Sequence, residues 1–226
     1  MPHSFHRLAL LFFAAGLCSH SQVAQKANED YLTPERRERA AFEMSHWVRP
    51  RVEHISELVA SLGLQPGETV ADIGTGVGYL LPYLVSAVGA QGTVIGEDIF
   101  PDFLDKAQAR IDDAGWRNVH LMLGTEDNPK LGISQLDMAL LLDTYHHLNY
   151  PARMLQNVRR ALKARGRLVI VEYYRSHPHP GATEEDLRSH IRLDRDDVVK
   201  EVSSQDFRLS KQFDHLPHEY ILIFSR

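Results

Sequence analysis

The sequence predicts an α/β fold in which helices cover both faces of a mostly parallel sheet. Short apolar runs alternate along the chain with helical segments, several of which end at glycine, and this order is typical of βαβ units. The apolar runs are continuous, as in strands that are buried on both faces. The 226 residues, less a short leader, are enough for one substantial core. We therefore expect one α/β domain.

The N-terminal residues 1–24 have the features of a leader. Arg7 precedes an apolar stretch from Leu8 to Leu17, which is too short to span a bilayer and has the length of a signal-peptide core. Ser21 and Ala24 are small residues that offer cleavage positions. We expect export to the periplasm or outside the cell. The alternative is a cytoplasmic protein with an apolar terminus.

A helical extension is expected at 25–47, and it is followed by the main domain at 48–226. From Asn28 to Gln65 the chain shows charged and then apolar residues at helical spacing. The segment Trp47 to Pro50 divides this region into two helices.

The segment 70–78 joins a buried strand to a helix through a glycine-containing turn. Val70 to Ile73 supplies the short apolar strand, and Tyr79 to Val88 continues as an apolar helix that Gly89 can end. Glycine has no Cβ, so a ligand can lie against the backbone and meet the N–H groups of the helix start. The sequence therefore predicts a cradle for a nucleotide-like cofactor.

The spacing of the glycines distinguishes between cofactors. They stand at every second position, whereas a dinucleotide-binding turn needs a small residue where Tyr79 stands. With an acid two residues before the first glycine, the segment resembles motif I of the class I S-adenosylmethionine-dependent methyltransferases. The resemblance implies that the cofactor-binding residues here are Asp72, Gly74, Thr75, Gly76 and Gly78.

The resemblance also has implications for the fold and the reaction. It implies a Rossmann-like seven-stranded sheet with helices on both faces and an antiparallel last strand. The cofactor is then S-adenosyl-L-methionine, and the reaction is transfer of its methyl group. In this family a helical segment such as Asn28 to Gln65 usually packs over the cofactor pocket. The resemblance extends over roughly Val48 to Phe224.

A second carboxylate follows the glycine turn by about 20 residues. Thr93 to Asp98 has the composition of the next strand, and Asp98 stands where such a strand presents a carboxylate to the ribose hydroxyls. A carboxylate can accept hydrogen bonds from both hydroxyls. We prefer Asp98 because the residues after it resemble the family's second motif. Glu97, on the opposite face of the strand, is the alternative.

The next strand leads into an acidic loop. Phe103 to Gly115 is expected to be a helix and Val119 to Leu123 a strand. The resemblance implies that an acidic residue of the following loop binds the adenine amino group. Glu126 and Asp127 are both candidates.

Polar side chains follow the predicted fourth strand, Leu136 to Leu142. In an open α/β sheet the ligands bind beyond the carboxyl ends of the strands, which puts these side chains beside the transferring methyl group. A base is needed only if the acceptor must lose a proton. His146 is the first candidate, because imidazole titrates near neutrality; His147, Asp143 and Glu172 follow. The alternative for His146 is a packing role at the helix start.

The C-terminal region completes the expected order of elements. It comprises a helix at Pro151–Leu162, a turn into strand five at Leu162–Ile170, a helix at Asp194–Ser204, and two final strands at Phe207–Phe213 and Glu219–Phe224.

Composition excludes several classes of function. The formal net charge is -5 and the sequence has no run of Lys or Arg, so it lacks the basic surface that would bind a nucleic-acid backbone. Cys18 is the only cysteine, so the chain has no intrachain disulfide and no cysteine-based metal site. We expect no metal either, because the histidines of His177–Pro180 lack a recognisable ligand spacing. No stable membrane span is expected.

The sequence thus predicts an S-adenosylmethionine-dependent methyltransferase that acts on a small-molecule acceptor. Two other classes remain open. A nicotinamide-dependent oxidoreductase would share the sheet and the ribose acid, although Tyr79 disfavours it. A non-catalytic protein that binds the donor would keep the cofactor motifs and lack an acceptor site. The acceptor and the oligomeric state do not follow from the sequence.

Overall fold

The structure, a computed structural model, describes residues 22–46, 48–178 and 181–226. The leader residues 1–21, Trp47 and His179 lie outside this part of the chain. Residues 22–27 are helical and continue into a 3-10 helix at Asn28–Tyr31. Ala24, which the sequence assigned to the leader, is completely buried in this helical stretch.

The described elements follow the predicted alternation. The strands are β1 (Thr69–Ile73), β2 (Thr93–Asp98), β3 (Val119–Leu123), β4 (Leu136–Leu142), β5 (Leu162–Tyr173), β6 (Arg208–Phe213) and β7 (Glu219–Ser225). The α-helices are α1 (Pro34–His46), α2 (Val48–Leu62), α3 (Leu81–Val88), α4 (Pro101–Ala114), α5 (Pro151–Ala161), α6 (Glu184–His190) and α7 (Arg195–Ser203). A second 3-10 helix, Tyr145–His147, follows β4.

The strands form one seven-stranded sheet in the order β3-β2-β1-β4-β5-β7-β6. The pairs from β3 through β5 are parallel, and β7 is antiparallel to both of its neighbours, β5 and β6. The predicted Rossmann-like sheet with an antiparallel last strand is confirmed. Strand order reverses between β1 and β4, which is where ligands bind in such sheets.

Each face of the sheet buries its own apolar cluster. Leu84 of α3 and Ala107 of α4 pack on the side to which Val171 points. Leu155 of α5 packs on the opposite side, with the preceding strand residue Ile170. Neighbouring residues of one strand point to opposite faces. The continuous apolar run of β5 therefore serves both layers.

The helix after the glycine turn begins later than the sequence predicted. We expected it from Tyr79, but α3 begins at Leu81, with Pro82 in its first turn. Gly78 has a φ of +76°, which is incompatible with a right-handed helix. Proline is well accommodated in a first helical turn, because its missing N–H has no partner there.

The segment between α5 and the main part of β5 turns tightly. The helix α5 ends at Ala161 and β5 begins at Leu162. Leu136 pairs with Leu162, but Met138 pairs with Arg167, so the register shifts between these two pairs. A Cβ on Gly166 would lie 3.0 Å from Cβ of Leu162, so the chain folds back between these residues before it continues as β5, where the sequence predicted a turn.

Candidate active site

The glycine turn lies at the carboxyl end of β1 and has a left-handed backbone at three positions. The φ angles of Gly74, Gly76 and Gly78 are +76°, +54° and +76°. A Cβ on Gly74 would lie 2.5 Å from Oγ1 of Thr144, and one on Gly76 would lie 3.1 Å from Sδ of Met44. The conformation favours glycine at both positions, and at Gly74 an added Cβ would also clash with Thr144.

A cavity of about 580 Å³ opens against this turn. It is large enough for a nucleoside-sized ligand. Its lining combines the glycine turn, the end of β2, the loop after β3 and the N-terminal segment. The residues that line the cavity include Asn28, Tyr31, Met44, Gly74, Gly76, Glu97, Asp98, Ile99, Glu126, Asp143, His147, Leu148 and Met154.

Both acids at the end of β2 reach this cavity and are buried. The two carboxylate oxygens of Asp98 accept hydrogen bonds from the backbone N–H groups of Gly76 (2.9 Å) and Phe100 (3.0 Å). Oε1 of Glu97 has no hydrogen-bond partner among the described residues. Asp98 therefore links the end of β2 to the glycine turn, while Glu97 carries an unsatisfied acceptor.

The carboxyl groups around the turn have raised pKa values. Burial, together with the neighbouring Asp98, raises the pKa of Glu97 to about 8. Burial also raises the pKa values of Asp72 and Asp98 to about 6, although hydrogen bonds from Thr75 and from backbone N–H groups, respectively, oppose the shift. These groups lose contact with water that ordinarily stabilises their charge.

We expect Glu97→Gln to stabilise the unliganded chain, and to do so more at pH 8 than at pH 5. The pKa of Glu97 is about 8 in the folded chain against an ordinary value of 4.5. The folded state therefore holds its proton more tightly, and stability is lost as the pH rises between these two values. Denaturant unfolding at both pH values measures the effect. Glu185→Gln, at an exposed carboxylate, is the control; an equal gain there would contradict the assignment.

Asp72 is positioned by the turn that it precedes. Its Oδ2 accepts a hydrogen bond of 2.8 Å from the hydroxyl of Thr75, and both residues are buried. The backbone N–H groups of Gly74 and Thr75 both donate to the carbonyl of Glu97 at 2.8 Å. These bonds hold the turn against β2.

The two acids of the loop after β3 have different surroundings. Glu126 lines the cavity and accepts a hydrogen bond of 3.4 Å from Nδ2 of Asn149. Asp127 instead accepts hydrogen bonds from the Thr125 hydroxyl (3.0 Å) and from Nη1 of Arg153 (3.3 Å). Of the two candidates that the sequence left open, Glu126 is the one that the structure brings to the cavity.

A second cavity of about 340 Å³ adjoins the first. Asp143 and His147 line both cavities, and His146 lines the second together with Asp72. Asp143 has a φ of +49°, a conformation that is costly for a residue other than glycine and that occurs often at functional sites. The polar side chains after β4 therefore lie beside the glycine turn.

The two histidines after β4 each have a side-chain partner. Nδ1 of His146 lies 2.8 Å from both carboxylate oxygens of Glu172. Nδ1 of His147 lies 2.9 Å from Oδ1 of Asn28. Burial lowers the pKa of His147 well below its usual value, and the neighbouring imidazoles of His146 and His190 lower it further. Burial lowers the pKa of His190 as well. His190 was not predicted as a site residue, because no recognisable spacing in the sequence connects it to the other two histidines.

The N-terminal segment forms one wall of the larger cavity. Arg37 donates a hydrogen bond of 2.6 Å to Asp102 at the start of α4 and another of 2.9 Å to the carbonyl of Tyr31. Nδ2 of Asn28 donates to the carbonyl of His147 at 2.9 Å. The extension thus contributes residues to the wall of this cavity, together with the domain at 48–226.

None of the helices within the described ranges has the length and apolar character needed to cross a bilayer.

Comparison with known proteins agrees with this geometry. Residues 71–168 match the family described as "Methyltransferase domain". The chain is 26% identical over 127 residues to an arsenite methyltransferase of Halobacterium salinarum, covering 56% of this chain and 32% of that protein. It is 35% identical over 74 residues to the aklanonic acid methyltransferase DauC of a Streptomyces species, covering 33% of this chain and 34% of that protein. The matches thus span about a third of these curated relatives.

Solved structures share the fold. A SAM-dependent methyltransferase from Aquifex aeolicus superimposes with a TM-score of 0.74 at 22% identity, covering 82% of this chain and 97% of that one. The [4+2]-cyclase SpnF superimposes with a TM-score of 0.63 at 15% identity, covering 76% of this chain and 80% of that one. The fold alone therefore does not determine the reaction.

The site, the sheet and the matching domain agree with one another. The glycine turn stands at the switch point between β1 and β4, beside a buried acid at the end of β2, in the sheet order described above. Together with the match of residues 71–168 to a methyltransferase domain, these features support assignment of the chain to the class I S-adenosylmethionine-dependent methyltransferases.

Proposed function

We propose that this protein transfers a methyl group from S-adenosyl-L-methionine to a small-molecule acceptor. The observation that carries the proposal is the cavity of about 580 Å³ formed by the left-handed glycine turn and the buried end of β2. A ligand in this cavity can contact the glycine backbone of the turn on one side and the carboxylate of Asp98 on the other. That combination suits a nucleoside with vicinal hydroxyls.

The proposed donor contacts follow from the lining. Gly74 and Gly76 allow the donor to approach the backbone, and Asp98 accepts hydrogen bonds from the ribose hydroxyls. Glu126 accepts one from the adenine amino group, with Asp127 as the alternative. Ile99, Leu148 and Met154 offer apolar surface for the purine ring. We assign Asp72, Thr75 and Gly78 to the positioning of the turn and the methionine part of the donor.

Methyl transfer depends more on the positioning of the acceptor against the donor than on activation of either molecule. The sulfonium donor is already activated, and an acceptor held in line with its methyl carbon gains up to about 7–11 kcal/mol from proximity alone. We assign the acceptor to the second cavity, whose volume of about 340 Å³ fits a small molecule. If the acceptor carries a proton, His146 is our first candidate to receive it, because Glu172 orients its ring. His147 and Asp143 are the other candidates.

Calorimetric titration of the chain with S-adenosylmethionine and with NAD tests the donor. We expect binding of the first and not of the second. The reverse result would support a nicotinamide-dependent oxidoreductase. Formation of S-adenosylhomocysteine, screened over a panel of small acceptors that includes arsenite, quinols and phenols, then tests the reaction. Donor binding without product for any acceptor would favour a non-catalytic donor-binding protein.

We also propose that the leader directs export. Cleavage after Ser21 would leave the cavity wall at Asn28, Tyr31 and Met44 intact. Mass spectrometry of the protein from its native host tests this, since an intact N-terminus in the cytoplasmic fraction would contradict export. An exported enzyme would need a supply of the donor, which is made in the cytoplasm.

A further inference from the structure

Three imidazoles from two separate elements meet at the second cavity. His146 and His147 belong to the 3-10 helix after β4, and His190 is the last residue of α6. One nitrogen from each ring can be chosen so that all three lie within 4.8 Å of one another. The ring centroids of His146 and His190 are 5.0 Å apart, and those of His147 and His190 are 5.5 Å apart. The fold, rather than sequence adjacency, brings His190 to the other two.

The Nδ1 nitrogens of two of these rings already face a side-chain partner. Nδ1 of His146 faces the carboxylate of Glu172 at 2.8 Å. Nδ1 of His147 faces Oδ1 of Asn28, whose Nδ2 donates to the His147 carbonyl. That second bond fixes the amide orientation, so Oδ1 must accept and Nδ1 must carry the proton. In both rings the nitrogen directed to a shared ligand would be Nε2.

This arrangement has the features of a metal-binding site. Histidines that bind metal usually donate their other ring N–H to a carboxylate or a carbonyl oxygen, which sets both the tautomer and the ring orientation. Here a carboxylate holds one ring and an amide oxygen holds the second. The buried carboxylate of Glu172 also offers negative charge beside a cation. Three imidazoles in close proximity without an ion would have only weak contacts with one another.

We propose that His146, His147 and His190 bind one divalent transition-metal ion, with zinc preferred. Imidazole is a common ligand of zinc, copper, iron and nickel. Three histidines with a fourth position open to the cavity match the arrangement of catalytic zinc sites. Zinc–nitrogen distances of roughly 2.0–2.1 Å place the ligand nitrogens of a tetrahedral site roughly 3.3 Å apart. The three rings need only a modest approach to reach that geometry.

The ion-binding inference stands apart from the proposed function, because it requires no donor. Where both hold, the open coordination position faces the cavity that we assign to the acceptor. Coordination lowers the pKa of a bound water or hydroxyl group. His146 would then serve as a ligand, and the ion would replace it as the means of removing the acceptor's proton.

Titration of the full, untagged chain with Co²⁺ after removal of metals by a chelator tests the site. Co²⁺ reports its coordination through visible absorption bands. We expect one equivalent to bind with the bands of a low-coordinate site and to be displaced by Zn²⁺. His190→Ala should weaken Co²⁺ binding at least about 100-fold, and Glu172→Gln should weaken it by about 10- to 100-fold.

His120→Ala is the matched control, because His120 is an exposed histidine on β3. It should leave the bands and the affinity unchanged. Circular dichroism confirms that each variant is folded, and His190, at the end of a helix, is the ligand least embedded in the core. Absence of Co²⁺ binding to the wild-type chain would overturn the proposal. Unchanged binding in a folded His190→Ala variant would do so as well.

Discussion

Replacement of Gly76 by valine is expected to abolish donor binding. The backbone at this position has a φ of +54°, which a β-branched residue adopts only at a substantial cost. A Cβ here would already lie 3.1 Å from Sδ of Met44, and the two methyl groups would extend into the cavity. The N–H of Gly76 also donates to Asp98, so a displaced turn would disturb the ribose acid as well.

Gly115→Val provides the matched control for backbone strain. Gly115 ends α4 with a φ of +66°, and a Cβ added there would meet nothing within 4 Å. This variant incurs a similar conformational cost at a position outside the donor cavity. We expect it to lose stability but to keep its affinity for S-adenosylmethionine in calorimetric titration. A folded Gly76→Val variant that binds the donor normally would show that the turn is not the cofactor cradle.

Removal of the Asp98 carboxylate is expected to weaken donor binding by roughly 10- to 150-fold. A hydrogen bond to a charged group contributes about 1.5–3 kcal/mol, and each 1.4 kcal/mol corresponds to about a tenfold change in Kd. In Asp98→Ala the ribose loses its acceptor, and the N–H groups of Gly76 and Phe100 lose theirs. Asp98→Asn, which keeps one acceptor oxygen, should show an intermediate loss.

Glu97→Ala distinguishes the contributions of the two acids at the end of β2 to donor affinity. Glu97 lines the same cavity, but Oε1 of its carboxylate has no hydrogen-bond partner among the described residues. We expect a smaller effect on donor affinity than in Asp98→Ala. A wild-type affinity in Asp98→Ala with a large loss in Glu97→Ala would move the ribose contact by one residue.

Strand and helix order could be predicted because it depends on local apolar patterns. The run Val169 to Val171 is apolar on both faces, and the structure buries it in the sheet between β4 and β7. Glycines mark helix ends in the same local way, as Gly89 and Gly115 show. Motif resemblance supplied what local patterns could not, namely the number of strands and the antiparallel last strand.

The candidate site was predictable where its residues belong to a motif or follow directly from the end of a strand. The glycine turn and the side chains after β4 are contiguous, and each follows directly from a strand end. The wall formed by Asn28 and Tyr31 and the approach of His190 to His146 depend on contacts between distant segments. No spacing in one sequence encodes such contacts. The bonding of Asp127 to Arg153 likewise required the three-dimensional structure.

The paired hydrogen bonds between Asn28 and His147 have a thermodynamic consequence. His147 lines both cavities, and Asn28 holds both its ring and its carbonyl. A ligand that shifted this pair in one cavity would change the binding free energy in the other. Linkage is reciprocal, so the factor by which the donor altered the affinity for the proposed ion would equal the factor by which the ion altered the affinity for the donor. The two cavities would then form one coupled system, with His147 as a residue that lines both.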